Sequence, residues 1–106
     1  MITVTIHRSN DSYAGFKVVG HAGYAEEVYD IICAAVSVLV VNAVNSIETF
    51  TDDKFAARED HGIVELILEG SVSDKTTLLL DSMILGLRDI QTQYGNEFIR
   101  LKIEEG

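Results

Sequence analysis

The alternation of hydrophobic and polar positions predicts a hairpin at the start of the chain. Residues 2–6 (ITVTI) alternate apolar and polar side chains, which is the period-two pattern of a half-buried strand. A second strand is predicted at residues 13–19, with Phe16 and Val18 on its inner face. Between the two strands, residues 9–12 (SNDS) are typical turn residues. The two strands are therefore expected to pair.

The next segment changes to a helical period. Residues 20–29 follow neither period and are predicted to form a loop. Asp30 then stands where a helix N-cap belongs, so that Cys33 would occupy the third helical position. The predicted inner stripe of this helix comprises Val36, Val40, Ala43, Ile47 and Phe50, with further apolar residues on either side. We expect this helix to be buried on most of its circumference.

The second half repeats the same order of elements. Two strands are predicted at residues 54–59 and 63–69, with a turn at 60–62 (DHG). Ser73 is the expected N-cap of a second helix, and Gly95 is its expected stop. The predicted buried positions are Leu79, Met83, Leu87, Ile90 and Tyr94 in this helix and Ile99, Leu101 and Ile103 in a last strand.

The order ββαββαβ favours a two-layer α/β (α+β) fold. Two helices packed on one face of a five-stranded, mostly antiparallel sheet bury both sets of apolar positions with the fewest layers. The 106 residues match one ordinary domain, which is expected to span residues 1–106. An open sheet leaves edge strands, and edges often pair in dimers. A homodimer is therefore expected.

Charge and cysteine content exclude several kinds of site. Eight basic and seventeen acidic residues give a net charge of 8 − 17 = −9, which disfavours direct contact with nucleic acid or an anionic membrane. One cysteine makes neither an internal disulfide nor a Cys-rich zinc site, and three scattered histidines do not replace the missing ligands, so no metal is expected. No cofactor is expected either. Residues 1–6 lack the features of a signal peptide. The apolar stretch 31–41 is about half of a membrane span of roughly 20 residues, and a cytoplasmic protein is expected.

Cys33 and His21 are the residues that could carry chemistry. A thiol near a helix N-terminus is favoured as thiolate, and the first-turn amides could bind an oxyanion, although a lone cysteine is more often a small buried hydrophobe. His21 lies where the second strand ends, eleven residues before Cys33, so its imidazole could return to the thiol as a general base. The alternative is a loop histidine without a partner.

Two further polar residues lie close to Cys33 in the sequence. Asp30 could orient His21, although its N-cap role is favoured because its charge opposes a thiolate. Ser37 lies one helical turn beyond Cys33 and could line the site, although such a serine often bonds to a carbonyl of its own helix. The loop between His21 and Cys33 could close over a substrate, or it could be a solvated loop. His7 and His61 are assigned no role.

The segments 20–25 (GHAGYA) and 30–37 (DIICAAVS) resemble the ribosomal-processing cysteine proteases, the Prp (YsxB-like) family. The resemblance extends over the whole chain, including its length and order of elements. It implies that Cys33 is the nucleophile and His21 the general base and acid, with Asp30 and Ser37 as supporting residues. It also implies a homodimer and a substrate loop that includes Ala22, Gly23 and Tyr24. The sequence departs from many relatives at Val28, where they have glycine.

For the substrate, the resemblance implies an endopeptidase that removes the N-terminal extension of large-subunit ribosomal protein twenty-seven. That extension is apolar and is cut after a Phe-Phe pair, as a step in ribosome maturation. Two other classes stay open. A non-catalytic ribosome-assembly factor could bind the same ribosomal protein without cutting it. An RNA-binding module is the second alternative, and the net charge of −9 argues against it.

Overall fold

The structure, a computed structural model, describes residues 1–20, 27–60 and 62–106. Its elements follow the predicted order ββαββαβ. The strands are β1 (Ile2–Ser9), β2 (Ser12–Val19), β3 (Lys54–Asp60), β4 (Ile63–Glu69) and β5 (Ile99–Glu105), and the helices are α1 (Glu27–Phe50) and α2 (Asp74–Tyr94). The prediction of an α+β fold with two helices on a five-stranded sheet is confirmed.

The five strands form one mixed sheet in the order β3-β4-β2-β1-β5. Strands β1 and β5 are parallel, and the other neighbouring pairs are antiparallel. The predicted hairpin joins β1 to β2, and its two turn residues, Asn10 and Asp11, both have positive φ angles of 53° and 61°. Such a turn matches the twist of the strands that it connects. The strands β3 and β5 are left as the two edges.

The helices cover one face of the sheet, and the core lies between the two layers. On the sheet side the core contains Ile2, Val4, Ile6, Phe16, Val18, Leu66 and Ile99. On the helix side it contains Ile32, Val36, Val40, Ala43 and Ile47 of α1 and Leu80, Met83, Ile84 and Leu87 of α2. The predicted inner faces of the first two strands are therefore confirmed.

Three predicted core positions lie at the ends of their elements and are exposed. Phe50 is 63% exposed, Tyr94 38% and Ile103 50%, because the opposite layer does not extend that far. In α2 the buried face centres on Leu80 and Ile84 together with Met83 and Leu87, a rotation of the predicted stripe by about one residue. The 3.6-residue period places several apolar residues near the same face, and the packing partner decides which of them is buried.

Helix α1 is buried on one side only, which corrects the prediction that most of its circumference is covered. Ile31 and Val38 are 57% and 68% exposed, on the side away from the sheet. Among the described residues, α1 is the one helix long and apolar enough, over Asp30–Phe50, to cross a membrane. The apolar stretch 31–41 alone therefore underestimates the length of the apolar helix. The core helix of a globular protein meets the same criterion; the inner side of α1 packs in such a core, and 28% of the span is buried.

The start of α2 is fixed by hydrogen bonds around Ser73, as predicted for an N-cap. The Ser73 hydroxyl accepts a bond from the Thr76 amide at 3.3 Å and donates one to the Asp53 carboxylate at 2.8 Å. The Ser73 amide donates to the same carboxylate at 2.9 Å. Hydrogen bonds from the Thr76 side chain and the Ser73 amide lower the pKa of Asp53. This network ties the segment before β3 to the first turn of α2.

Candidate active site

A cavity of about 620 Å³ opens at the end of the sheet where β1 begins. Its apolar lining comes from both layers and consists of Ile2, Val18, Val36, Val40, Ile63 and Val64. Its polar side chains are Cys33 and Ser37 of α1 and Glu59 and Asp60 of β3, with Gly20 and Gly62 in its wall. An apolar cavity with a few polar groups is the usual form of a binding or catalytic site.

Helix α1 places Cys33 and Ser37 on this cavity. The two residues are one helical turn apart, so their side chains lie on the same side of the helix. Cys33 is half-buried, and Ser37 is exposed. Burial of Ile32 and Val36 fixes the rotation of the helix and thereby the direction in which the thiol points. The prediction that Ser37 could line the site together with Cys33 agrees with this placement.

The start of α1 corrects the predicted position of Cys33 in the helix. The chain is already helical from Glu27, where the described residues resume, rather than from Ile31, so Asp30 lies inside the helix and is not its N-cap. Cys33 therefore lies six residues after Glu27, beyond the first-turn amides that were expected to hold an oxyanion.

Asp30 and Ser37 have different placements. Asp30 is exposed and does not line the cavity, whereas Ser37 does. His21, Ala22, Gly23 and Tyr24 lie outside the described residues, as does His61. The predicted pairing of His21 with Cys33 therefore stays a prediction.

The residue before His21 is nevertheless part of the cavity wall. Gly20 lines the cavity, and its amide donates a hydrogen bond of 2.9 Å to the carbonyl of Gly62. Gly62 has a φ angle of +74°, and a Cβ atom there would lie 2.3 Å from the Gly20 carbonyl oxygen. The turn between β3 and β4 thus holds the end of β2 in place through a contact that only glycine permits. His21 therefore directly follows a residue of the cavity wall in the chain.

Two polar residues of the cavity were not predicted from the sequence. Glu59 and Asp60 end β3, and both line the cavity. The alternation of residues along β3 contains the signal for Glu59, since it follows Phe55 and Ala57 at every second position. Among the described residues no group of three or more His, Cys, Asp or Glu side chains is arranged to hold a metal ion.

Comparisons with known proteins agree with the chemistry of this cavity. A model of the family described as cysteine protease Prp matches residues 1–99. The ribosomal processing cysteine protease Prp of Bacillus subtilis is 33% identical over 101 residues, which are 89% of this chain and 90% of that protein. The Staphylococcus aureus protein of the same name is 31% identical over 104 residues, 95% of this chain and 97% of that one.

Solved structures of the Staphylococcus aureus protease share the fold. Its complex with a substrate peptide superposes with a TM-score of 0.89 at 29% identity, over 98% of this chain and 100% of that one. Its complex with a covalently linked product peptide gives a TM-score of 0.86 at 30% identity, with the same coverage.

A thiol that lines an apolar cavity of this size fits the class of cysteine proteases, and the relatives belong to that class. The chain belongs to the cysteine protease Prp family.

Proposed function

We propose that this protein is a ribosomal-processing endopeptidase in which Cys33 is the nucleophile and His21 the general base and acid. The observation that carries the proposal is the shared cavity. Cys33 of α1 and Gly20, the residue before His21, line the same apolar cavity. The Staphylococcus aureus protease has the same fold, and its complexes with a substrate peptide and with a covalently linked product peptide support a peptide as the occupant.

The proposed reaction follows the chemistry of a thiol and an imidazole. The Cys33 thiolate attacks the scissile carbonyl carbon, and the imidazolium of His21 gives its proton to the leaving amine as the C–N bond breaks. The product at this stage is a thioester between Cys33 and the N-terminal part of the substrate. A water molecule, deprotonated by neutral His21, then attacks the thioester carbonyl, and the thiolate leaves. We assign Ser37 a supporting role in lining the site.

The proposed substrate is the apolar N-terminal extension of large-subunit ribosomal protein twenty-seven, cut after a Phe-Phe pair. The apolar lining of the cavity suits aromatic side chains, and about 620 Å³ lies within the usual range for a ligand pocket. We further propose that the protein acts in the cytoplasm as a homodimer, with residues 22–24 contacting the substrate. The exposed Ile31 and Val38 of α1 are apolar surface that a partner copy could cover.

A synthetic peptide tests this function. It spans the extension and the first mature residues and is incubated with the wild type, with Cys33→Ala and with Ser82→Ala. Ser82 is an exposed residue of α2 that does not line the cavity, so its variant is the control for a small substitution on a helix. Mass spectrometry should find one cut after the Phe-Phe pair with the wild type and Ser82→Ala, and none with Cys33→Ala.

Two other outcomes contradict the proposal in different ways. An intact peptide that still binds the wild type would favour the assembly-factor alternative. Cleavage that persists in Cys33→Ala at the wild-type rate would remove Cys33 from the mechanism.

A further inference from the structure

Glu59 occupies a position of β3 at which the sheet otherwise directs apolar side chains toward the helices. In the register of β3 with β4, Glu59 lies opposite Val64. Leu66, two residues further along β4 and therefore on the same face as Val64, is buried in the core. Directly paired residues of neighbouring strands share a face. The Glu59 side chain is therefore on the helix-covered face, where it breaks the alternation of β3. Departures from the alternation rule often mark functional positions.

Among the described residues, Glu59 has no basic partner. Arg58, the adjacent basic residue, points to the other face and pairs with Glu65 at 3.5 Å. Within residues 1–20, 27–60 and 62–106, Glu59 forms no ion pair with a Lys, Arg or His side chain. Glu59 is exposed and, together with Asp60, lines the cavity that contains Cys33.

A peptide that fills this cavity would displace water from the Glu59 carboxylate. Loss of hydration destabilises a carboxylate unless a cation or hydrogen-bond donors replace the water. None of the described residues that line the cavity is a lysine, an arginine or a histidine, so we look to the occupant for a cation. A lysine or arginine a few residues from the bound apolar side chains would supply it, and the net charge of −9 would attract a cationic segment from a distance.

We propose that Glu59 makes the protease selective for substrates that carry a lysine or arginine close to the apolar segment that the cavity binds. The inference rests on the proposed function, because it assumes that the cavity of Cys33 holds the substrate. It adds a second recognition element, a cation, to the apolar side chains. Glu59 is a specificity residue and takes no part in the reaction of the thiol.

A series of peptides with one lysine at successive positions tests the inference. The parent peptide has the apolar segment and otherwise neutral residues, and each member places lysine at one position on either side of the scissile bond. Cleavage is compared for the wild type, Glu59→Gln and Glu69→Gln. Glu69 is an exposed residue at the end of the adjacent strand, outside the cavity, so its variant carries the same change in charge.

The wild type should prefer lysine at one position or two adjacent ones, by about fivefold in kcat/KM, the size expected for a partly exposed ion pair. The preference should be carried by KM, with kcat unchanged. Glu59→Gln should lose it, and Glu69→Gln should keep it. Glu59→Lys should instead favour glutamate at the same position. Added salt of about 0.5 M should weaken the wild-type preference, because it screens charges near the surface.

The same peptides are also titrated against Cys33→Ala and against the double variants Cys33→Ala/Glu59→Gln and Cys33→Ala/Glu69→Gln, so that binding is measured without cleavage. If no peptide is cut but the lysine preference in binding depends on Glu59, the proposed function fails and the selectivity stands. If peptides are cut with identical position profiles by the wild type and Glu59→Gln, the selectivity is wrong and the proposed function stands.

Discussion

The two ends of the sheet contain cavities with different kinds of lining. At the end where β1 begins, the cavity of about 620 Å³ is lined by apolar side chains together with Cys33, Ser37 and the carboxylates of β3. At the opposite end, a smaller cavity of about 270 Å³ lies between α2 and the ends of β1 and β5. Among its polar residues, Tyr13 contacts both Arg8 and Asp81.

At the smaller cavity, Tyr13 is held by contacts within the protein. The Tyr13 hydroxyl donates a hydrogen bond of 2.5 Å to Asp81, and the Arg8 guanidinium lies 4.6 Å from the centre of the Tyr13 ring. Burial and the bond to Asp81 raise the pKa of Tyr13 to about 12. Side chains bonded in this way stabilise the fold, whereas under the proposed function the residues around Cys33 line the cavity that receives the peptide. The comparison predicts that substitutions at one end change activity and those at the other end change stability.

Of the four substitutions predicted from this comparison, His21→Ala should have the largest effect, a loss of cleavage activity. Loss of a general base and acid typically slows a reaction by about 10² to 10⁴-fold. Alkylation of Cys33 by iodoacetamide should also slow near pH 6, because the thiol loses the group that favours its thiolate. Peptide cleavage and the rate of alkylation are measured with wild type and variant, and His7→Ala, on the outer face of the sheet, is the control. Unchanged cleavage in His21→Ala would remove this residue from the site.

Gly62→Ala should reduce both activity and stability. The added Cβ atom would meet the Gly20 carbonyl at 2.3 Å, so the end of β2 and the entry to His21 must shift. Gly70→Ala is a matched control, since Gly70 has nearly the same φ angle, +75°, and no atom within 4 Å of an added Cβ. Both variants should lose about 1 to 2 kcal/mol from the left-handed backbone. Only Gly62→Ala should also slow peptide cleavage. Equal cleavage by both variants would contradict the link between the Gly62–Gly20 contact and the position of His21.

Tyr13→Phe should lower stability and leave cleavage unchanged. The variant loses the hydrogen bond to Asp81, which is worth about 1 to 2 kcal/mol for a charged acceptor that stays partly solvated. Urea unfolding measures the loss, and a double-mutant cycle with Asp81→Asn isolates the pair. In the wild type, one of the four tyrosines should ionise near pH 12, and the stability from its neutral form is lost as the pH rises through that value. Reduced cleavage in Tyr13→Phe would contradict the prediction that substitutions at this end of the sheet change stability and not activity.

Asp53→Asn should have the smallest effect, a loss of stability that depends on pH. Because hydrogen bonds lower the pKa of Asp53, its stabilising contribution is present above the ordinary pKa of an aspartate, about 4, and is lost as the pH falls through the lowered value. The variant should be less stable than the wild type at pH 7, and the difference should shrink in acid. Thermal unfolding from neutral to acidic pH measures this, and a difference that grows in acid would contradict the assignment.

The fold could be predicted from the sequence because local signals and hydrophobic periods agree over most of the chain. The turn at Asn10 and Asp11, the cap at Ser73 and the end of α2 before Gly95 are fixed by nearby residues, and these features are confirmed. Exposure at element ends, as for Phe50 and Ile103, depends on how far the opposite layer reaches. Periodicity along one element contains no information about that distance.

The candidate site was predictable in part. Cys33 and Ser37 share a helical face by their spacing alone, and both line the cavity. The contribution of Glu59 depends on the register of β3 with β4, and that of Gly62 on a contact with Gly20. Both are set by pairing between segments distant in the sequence. The start of α1 was predicted at least four residues late because Asp30 is a good N-cap residue, whereas residues 27–29 are already helical.

Acid quenching of the reaction tests most directly whether Cys33 is the nucleophile. The protein is mixed with the peptide that spans the extension, quenched within the first turnover and measured by intact-mass and fragment mass spectrometry. The mechanism predicts a thioester on Cys33 that raises the protein mass by that of the N-terminal product less one water, and no adduct in Cys33→Ala. Cleavage of the peptide without any adduct, at equal rates in both proteins, would contradict covalent catalysis by Cys33.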